Sequence, residues 1–373
     1  MVYSSGFLYH TGGFTYTGGT DDGTNVFYTQ VHSTGTIGTW NATTPLPQFP
    51  VYDHAMVANN EFLYVLGGLH ANPTTGDQPS DVVYYSKLNL DGSVGAWQTS
   101  SNALPYTLTV FGAAVWNDRI YITGGYTVTG AVNAVYSARI QSDGSLAAWV
   151  VQTPLPRTIF THATVANGAL YVIGGLVNGG SYLTNSVYYS KINPDGTLAG
   201  WNQTTSLPQP VGDFEAVAAN GRIFTMGGWS GSNPLNNVHS ATVNGDGSLG
   251  GWSAGTPLPQ PLFYHGVAVS DSHIFVSGGV NTAIIQDAVY SMPLPLSPAM
   301  PALTSQGIGT NGNFQLKLAS ATNTGFGFLA STNLTDWTRI GWGFTGTNGL
   351  LSFQDTNAAS FPRRFYRAFW PLP

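Results

Sequence analysis

A short apolar run ending in two glycines occurs six times along the chain: FLYHTGG, FLYVLGG, IYITGG, LYVIGG, IFTMGG and IFVSGG. The first glycines are Gly12, Gly67, Gly124, Gly174, Gly227 and Gly278, so the run recurs every 50 to 57 residues. An alternating segment such as HAMVAN precedes it, and a loop of variable length and a second apolar segment such as VVYYSKLNL follow. A turn (LDGS, SDGS, PDGT or GDGS) then leads to a tryptophan, and Leu-Pro closes the unit. Apolar or alternating runs of four to eight residues between turn signals read as strands, which predicts four strands per unit. Trp40, Trp97, Trp149, Trp201 and Trp252 keep the same period, and two residue types sharing one period mark a true repeat. The Asp-Gly turns lack the spaced carboxylates of a calcium loop and read as hairpins in which Gly supplies a positive φ.

Diglycine, downstream tyrosines and a late tryptophan, in that order over residues 1–296, resemble kelch repeats. The resemblance implies an all-β fold, a six-bladed β-propeller of four-stranded blades, with each indole filling space between neighbouring blades. The D-G-S-L-G-x-W form is similar to repeats of secreted bacterial propellers, which implies an extracellular or cell-surface location. The array opens with MVYSSGFLYHTGG, part of an inner strand and a full second strand. It closes with HGVAVSD, HIFVSGG and AVYSMPL, three strands with no tryptophan strand after them. The missing outer strand is expected upstream, in a longer precursor, and no signal peptide is visible at Met1.

Beyond the array, PLPLSPAMPAL reads as a Pro-rich linker, placed at 297–303. Residues 304–373 lose the period and carry FQLKLAS, GFGFLAS, LLSFQD and RRFYRAF, four or five short strands. With ASTNLTDW and a final R-F-Y-R, this part resembles the small C-terminal β-sandwich of many secreted environmental-bacterial proteins.

Composition narrows the function classes. A net charge of −6 with only three lysines leaves no basic patch for nucleic acid. The absence of cysteine excludes disulfides, Cys-ligated zinc, thiolate nucleophiles and iron–sulfur clusters. No run of about 18 apolar residues is present, so no helical membrane span is expected. Charged residues make up only 8% of the chain, which also suits a structural or adhesive surface protein that packs against copies of itself.

Propeller geometry brings the loops joining strands two to three and four to one to one face. The former vary most: Phe14–Asn25, Leu69–Asp81, Tyr126–Asn133, Leu176–Ser186, Trp229–Asn237 and Val280–Asp287. Variable loops on a regular scaffold are where binding resides. The inner strands start on this face, at the aligned positions His54, Gly112, His162, Glu215 and His265. No cofactor is called for by a motif, but His54, His162, Glu215 and His265 converging on one axis suit a divalent metal. The competing reading is that the histidines are hydrogen-bonded within their own blades. Glu215, one of only two glutamates, is the sharpest departure from the repeat.

Tyr52, Asp53, Phe111, Phe160, Asp213, Phe214, Phe263 and Tyr264 flank this ring, and Phe14, His70, Tyr126 and Trp229 follow the diglycines. Aromatic rings beside carboxylates suit sugars, so the chain reads as a carbohydrate-binding or carbohydrate-processing propeller with a polysaccharide or glycan as partner. Half of these rings can equally pack between blades. Asp53, Asp213 and Glu215 offer the two carboxylates of a glycosidase. Tyr264, His265, Tyr52 and His54 offer the acid and base of a polysaccharide lyase, whose uronate Arg157 would neutralise. Galactose-oxidase-like copper chemistry needs a cysteine crosslinked to tyrosine. Sialidase-like and mutarotase-like recognition needs an arginine cluster, yet only Arg157 falls near this face, with Arg119 and Arg222 on the other. Whether the protein is an enzyme stays open from sequence.

Overall fold

The computed structural model describes the chain apart from residues 14–22, 49–50, 60, 71–75, 178–181, 283, 295–301, 310–311, 321–324, 335–336 and 370–373. Two compact units result, Met1–Leu294 and Pro295–Pro373. Among the described residues the only helical element is a 3-10 turn, Ala358–Ser360, and no helix is long and apolar enough to cross a membrane.

The first unit is a ring of six antiparallel sheets, numbered here as blades 1 to 6 in chain order. Their inner strands are Val2–Ser4, Ala55–Asn59, Gly112–Trp116, Ile159–Ala166, Glu215–Ala219 and Gly266–Val269. Each lies against the inner strand of the next blade, and that of blade 1 lies against those of blades 2 and 6, so the ring closes. Blades 1 to 5 have four radial strands, to which blade 4 adds the short Tyr182–Leu183, and blade 6 has three, ending with Val289–Pro293. Blade 1 thus keeps an inner strand of its own, although a short one. Among the described residues nothing supplies blade 6 with an outer strand.

The diglycine runs form the second strands, apolar because both faces are covered by neighbouring blades. Tyr64, Tyr121 and Tyr171 on these strands are fully buried. Each hydroxyl donates to the turn of the next blade, at the carbonyls of Gly144 (2.8 Å), Gly196 (2.9 Å) and Gly247 (2.7 Å). The Asp-Gly turns are therefore structural, tied to the blade before them. Trp97, Trp149, Trp201 and Trp252 add a second stitch, donating Nε1–H to the carbonyls of Thr44, Asn102, Thr153 and Thr205 just past the preceding blade's outer strand. Apolar clusters fill all six boundaries. The poorest lies between blades 6 and 1, where Leu8, Ala268 and Phe275 are the buried members. Each fully buried side chain of this size contributes about 1.5–3 kcal/mol, so the ring is held by its boundaries.

In the second unit, Ala302–Ile308, Phe314–Ala319 and Leu350–Asp355 form one antiparallel sheet. Thr338–Phe344, Gly325–Ser331 and Phe365–Phe369 form another. Leu316, Leu318, Phe326 and Phe328 from both sheets share one core. The first strand begins at Ala302, inside the segment the sequence reads as linker.

Candidate functional site

Register decides what reaches the channel mouth. The residue paired with the position before each diglycine is Ala55, Gly112, His162, Glu215 or Gly266 in blades 2 to 6. His54 and His265 stand one residue earlier, and this corrects the ring expected from sequence. Their rings lie beside the first glycine of the preceding blade, where a methyl at Gly12 or Gly227 would fall 2.8 Å from the Cε1 of His54 or His265. Phe111 and Phe214 occupy the same slot over Gly67 and Gly174. A histidine here is thus a wedge between blades. Burial drives His54 down to a pKa of about 3 and His265 to about 4, so both are neutral. Nε2 of His54 is 3.0 Å from Thr11 Oγ1. His265 is 3% exposed, and neither ring nitrogen has a well-aligned partner among the described residues.

His162 and Glu215 remain at the mouth and meet there, with Nδ1 of His162 3.1 Å from Oε2 of Glu215. Burial alone would lower the imidazole's pKa, but Glu215 holds it above the usual histidine value. Burial likewise opposes the carboxylate's charge, yet His162 keeps Glu215 below the usual carboxylate range. Each partner thus favours the other's charged form, and the two side chains are about a third and a quarter exposed. The Phe214 ring stands edge-on to His162, centroids 6.1 Å apart.

A second layer is set by backbone geometry. Asp53, Val110, Asp213 and Tyr264 take the left-handed conformation, with φ between 50° and 54°, two residues before the register position of their blades. Adjacent turns link across blades: Val110 N–H donates to the Asp53 carbonyl and Tyr264 N–H to that of Asp213, both at 3.1 Å. Blade 4 alone leads in by a continuous strand, whose register shifts between Phe160 and His162. The Tyr264 hydroxyl lies close enough to the Asp213 carboxylate for each to shift the other's pKa. Packing among the walls of the mouth, and then the nearby Asp213, raise Asp53 to about 6. Asp213 is raised by burial, with His162 and Tyr264 pulling it back. Burial and these two aspartates raise the Tyr264 phenol.

Aromatic rings line the rim beside blades 5 and 6. Trp229 lies 5.3 Å from Phe263, and Phe263 lies 5.0 Å from Tyr264, centroid to centroid. The Tyr264 ring is 60% exposed. Tyr126 and Phe160 form an edge-on pair at 5.9 Å between blades 3 and 4. On the blade 2 side, Val51–Tyr52 pairs with Leu69–His70, which pairs with Gln78–Pro79 to form a small lip. There the Tyr52 hydroxyl donates to the Asp77 carboxylate, and partial burial lowers the His70 pKa. Arg157 is exposed in the segment leading into blade 4, and among the described residues no hydrogen bond or ion pair joins it to the mouth. Phe14 lies outside the described residues.

Sequence reasoning passed over His10, which stands where the other diglycine runs carry Val65, Ile122, Val172, Thr225 and Val276. Burial lowers its pKa to about 4. The lone titratable residue in an apolar strand was the available signal. Below the mouth the channel turns aliphatic, with Met56, Val115, Val217 and Val267 among the walls of a cavity of about 240 Å³. Among the described residues no three histidine, aspartate or glutamate side chains form a metal-ligating group, because two of the four candidates point into blade boundaries.

The family described as the KLHDC2/KLHL20/DRC7 Kelch-repeats domain matches residues 113–294. Human Kelch-like protein 33 is 29% identical over 117 residues, covering 31% of this chain and 21% of that protein. The Caenorhabditis elegans spermatocyte protein spe-26 is 24% identical over 212 residues, covering 54% and 34%. Human Kelch-like protein 23 is 23% identical over 239 residues, covering 62% and 38%. The chain thus spans well under half the length of these curated relatives. The solved structure of YjhT aligns with a TM-score of 0.62 at 15% identity, covering 79% of this chain and 96% of that one. Six radial sheets, the diglycine strands and these likenesses agree on the architecture: the chain carries a kelch-type β-propeller.

Proposed function

We propose that the mouth binds a neutral, polyhydroxylated ligand, a glycan chain being the class that fits, and that it does so outside the cell. The observation that carries this reading is the placement of Tyr264. Its exposed ring continues the Trp229–Phe263 run, and its hydroxyl lies near the Asp213 carboxylate. A sugar stacked on that ring would turn its hydroxyls toward Asp213, Asp53 and Glu215, which accept hydrogen bonds. Stacking on an aromatic face is worth about 1 kcal/mol, and a hydrogen bond to a charged acceptor about 1.5–3 kcal/mol. The mouth presents the carboxyl groups of Asp53, Asp213 and Glu215, and among the described residues Arg157 makes no hydrogen bond or ion pair with them, which favours a neutral sugar over a uronate.

The test is calorimetry of the full chain against neutral and uronate oligosaccharides chosen from a glycan array. Neutral binding that falls at least tenfold in both Tyr264→Ala and Glu215→Gln supports the reading. Binding only to uronates, or binding indifferent to both changes, overturns it.

A second reading, glycan hydrolysis, has one observation in its favour. Asp53 is raised to about 6 while Glu215 is held below the usual range. Environments that push two carboxyls apart in this way separate a general acid from a carboxylate base or nucleophile. Release of reducing sugar, lost in Asp53→Asn, would support it.

A further inference from the structure

In blades 2, 3, 4 and 6 the same cross-strand pair joins the second strand to the third: Val65 with Tyr84, Ile122 with Tyr136, Val172 with Tyr188 and Val276 with Tyr290. The aliphatic member and the phenol fill one slot, and the residue that follows Leu-Pro in the incoming segment can close it from outside. In blade 3 the Tyr136 hydroxyl donates to that of Tyr106 at 2.9 Å, and in blade 6 Gln260 Nε2 donates to the Tyr290 hydroxyl at 3.0 Å. Blade 5 departs at every one of these positions but the last. Thr225 pairs with His239, and Gln209 follows Leu-Pro. One residue ahead stands Asn237, where these four blades carry Val82, Ala134, Ser186 and Ala288. Imidazole is shorter than phenol, and no hydrogen bond joins His239 to Gln209 among the described residues.

The result is a cavity of about 20 Å³, walled on its polar side by Gln209, Thr225, Asn237 and His239 and on its apolar side by Leu207 and Leu235. None of the four polar side chains has a hydrogen-bond partner among the described residues. Thr225 is only 5% exposed, so its hydroxyl sits where the other blades bury a methyl. Burial lowers the His239 pKa, which keeps the ring neutral at pH 7, and no charged side chain lines the cavity. Val211 and Gly227 in its wall adjoin the bridge between Gly212 and Trp229, whose N–H groups donate to each other's carbonyls at 3.0 and 2.7 Å. The cavity therefore lies beside the Trp229 end of the aromatic rim.

We infer that this cavity is a subsite for the acetamido group of a sugar held on the rim, so that 2-acetamido sugars are the glycan class the mouth selects; the inference rests on the glycan reading above. Size sets the first limit. A water-sized group needs about 10–15 Å³ of such space, so a substituent enters and a sugar ring does not. The wall sets the second. Two amides, a hydroxyl and a neutral imidazole offer both donors and acceptors without charge, which suits neither a carboxylate nor an ammonium group. An acetamido group brings a carbonyl oxygen for the amide N–H donors, an N–H for Thr225 or His239, and a methyl for Leu207 and Leu235. A hydroxyl in the same place would leave the apolar wall without a contact.

The probes are tri-N-acetylchitotriose and cellotriose, which share a β-1,4-linked backbone and differ by an acetamido group against a hydroxyl on each ring. Calorimetry of the full chain should give the acetamido trimer at least about tenfold the affinity, the size of one to two net hydrogen bonds. That trimer alone should shift the His239 ring signals in NMR. Thr225→Val and His239→Tyr each restore what the other blades carry, so both should keep the parent's melting temperature. Each should bring the affinity ratio of the two trimers close to one while leaving cellotriose binding unchanged. The comparison of trimers on the parent protein depends on no variant. Equal affinity for the two, or a preference that survives both substitutions, overturns the subsite and leaves the glycan reading standing. Binding of neither trimer also overturns it, and the glycan reading is then decided by the array alone.

Discussion

Nδ1 of His162 lies 3.1 Å from Oε2 of Glu215 across the boundary of blades 4 and 5. The two can meet because both occupy the register position that opens on the channel, where the other described blades carry Ala55, Gly112 and Gly266. The charged pair at the mouth thus comes from two neighbouring substitutions in an otherwise small-residue ring.

Glu215→Gln should lower the His162 pKa from above the usual histidine value to below it, because burial then acts without its counter-charge. Histidine titration by NMR reads this directly. The signs of the stability effect are opposite for the two partners. His162, with its raised pKa, gives up its contribution as pH rises through that value. Glu215, with its lowered pKa, gives up its own as pH falls through that value. The stability gap between the parent and Glu215→Gln is therefore widest at mildly acidic pH, between the ordinary carboxylate and histidine values, about 1 kcal/mol there after solvent screening, and closes at both ends.

Asp53→Asn tests the crowding of acids at the mouth. Asparagine tolerates the left-handed backbone that Asp53 adopts, with φ 52°. The Asp53 pKa is raised to about 6 by the walls of the mouth and then by Asp213, so its ionisation begins to burden the fold above the unfolded carboxylate value and does so fully above about 6. Asp53→Asn should melt higher than the parent at pH 7.5, with the gap narrowing through pH 4.5 and closed by about pH 3, followed by circular dichroism. A penalty at pH 7.5 would mean that the Asp53 carboxylate is held by a favourable partner.

The six-fold architecture was legible because its physics repeats. Each diglycine strand, Asp-Gly turn and tryptophan solves the same boundary problem, so one reading served all blades. The mouth was half legible. The sequence set His54, His162, Glu215 and His265 on one ring, whereas the register gives His162 and Glu215 one position and His54 and His265 the position before it. In a strand such an offset moves a side chain to the other face, here from the channel into a blade boundary. The left-handed turns at Asp53, Asp213 and Tyr264 carry no glycine to announce them. His10 was readable in FLYHTGG but did not belong to any expected ring.

Gly124→Ala and Gly278→Ala separate backbone strain from blade packing. Both glycines are left-handed, φ 59° and 66°, so alanine costs about 1–2 kcal/mol at either. At Gly124 the new methyl also collides with the Ile159 carbonyl oxygen, whereas at Gly278 it meets only Gln286 O at 3.6 Å. Gly124→Ala should therefore lose clearly more stability in denaturant titration than Gly278→Ala. Equal losses would assign the conserved geometry of the pair to φ alone.

Asp195→Ala serves as the counterpart of the mouth variants, because it lies on the opposite face and its role is structural. Its Oδ1 accepts from the Thr197 N–H at 2.9 Å and from Thr197 Oγ1 at 2.7 Å, and these bonds hold its pKa below the usual carboxylate range. The next residue, Gly196, takes the Tyr121 hydroxyl at 2.9 Å, so a loosened turn also loosens the boundary of blades 3 and 4. An acid with a lowered pKa stabilises above its unfolded value and loses that contribution as pH falls through the folded one. Asp195→Ala should therefore melt below the parent at pH 7 and converge with it at pH 2.5. Glycan affinity, measured at a temperature where both proteins are fully folded, should stay unchanged, while Tyr264→Ala loses affinity with little change in melting. The opposite assignment, with affinity lost in Asp195→Ala and kept in Tyr264→Ala, would move the binding face to the Asp-Gly turns.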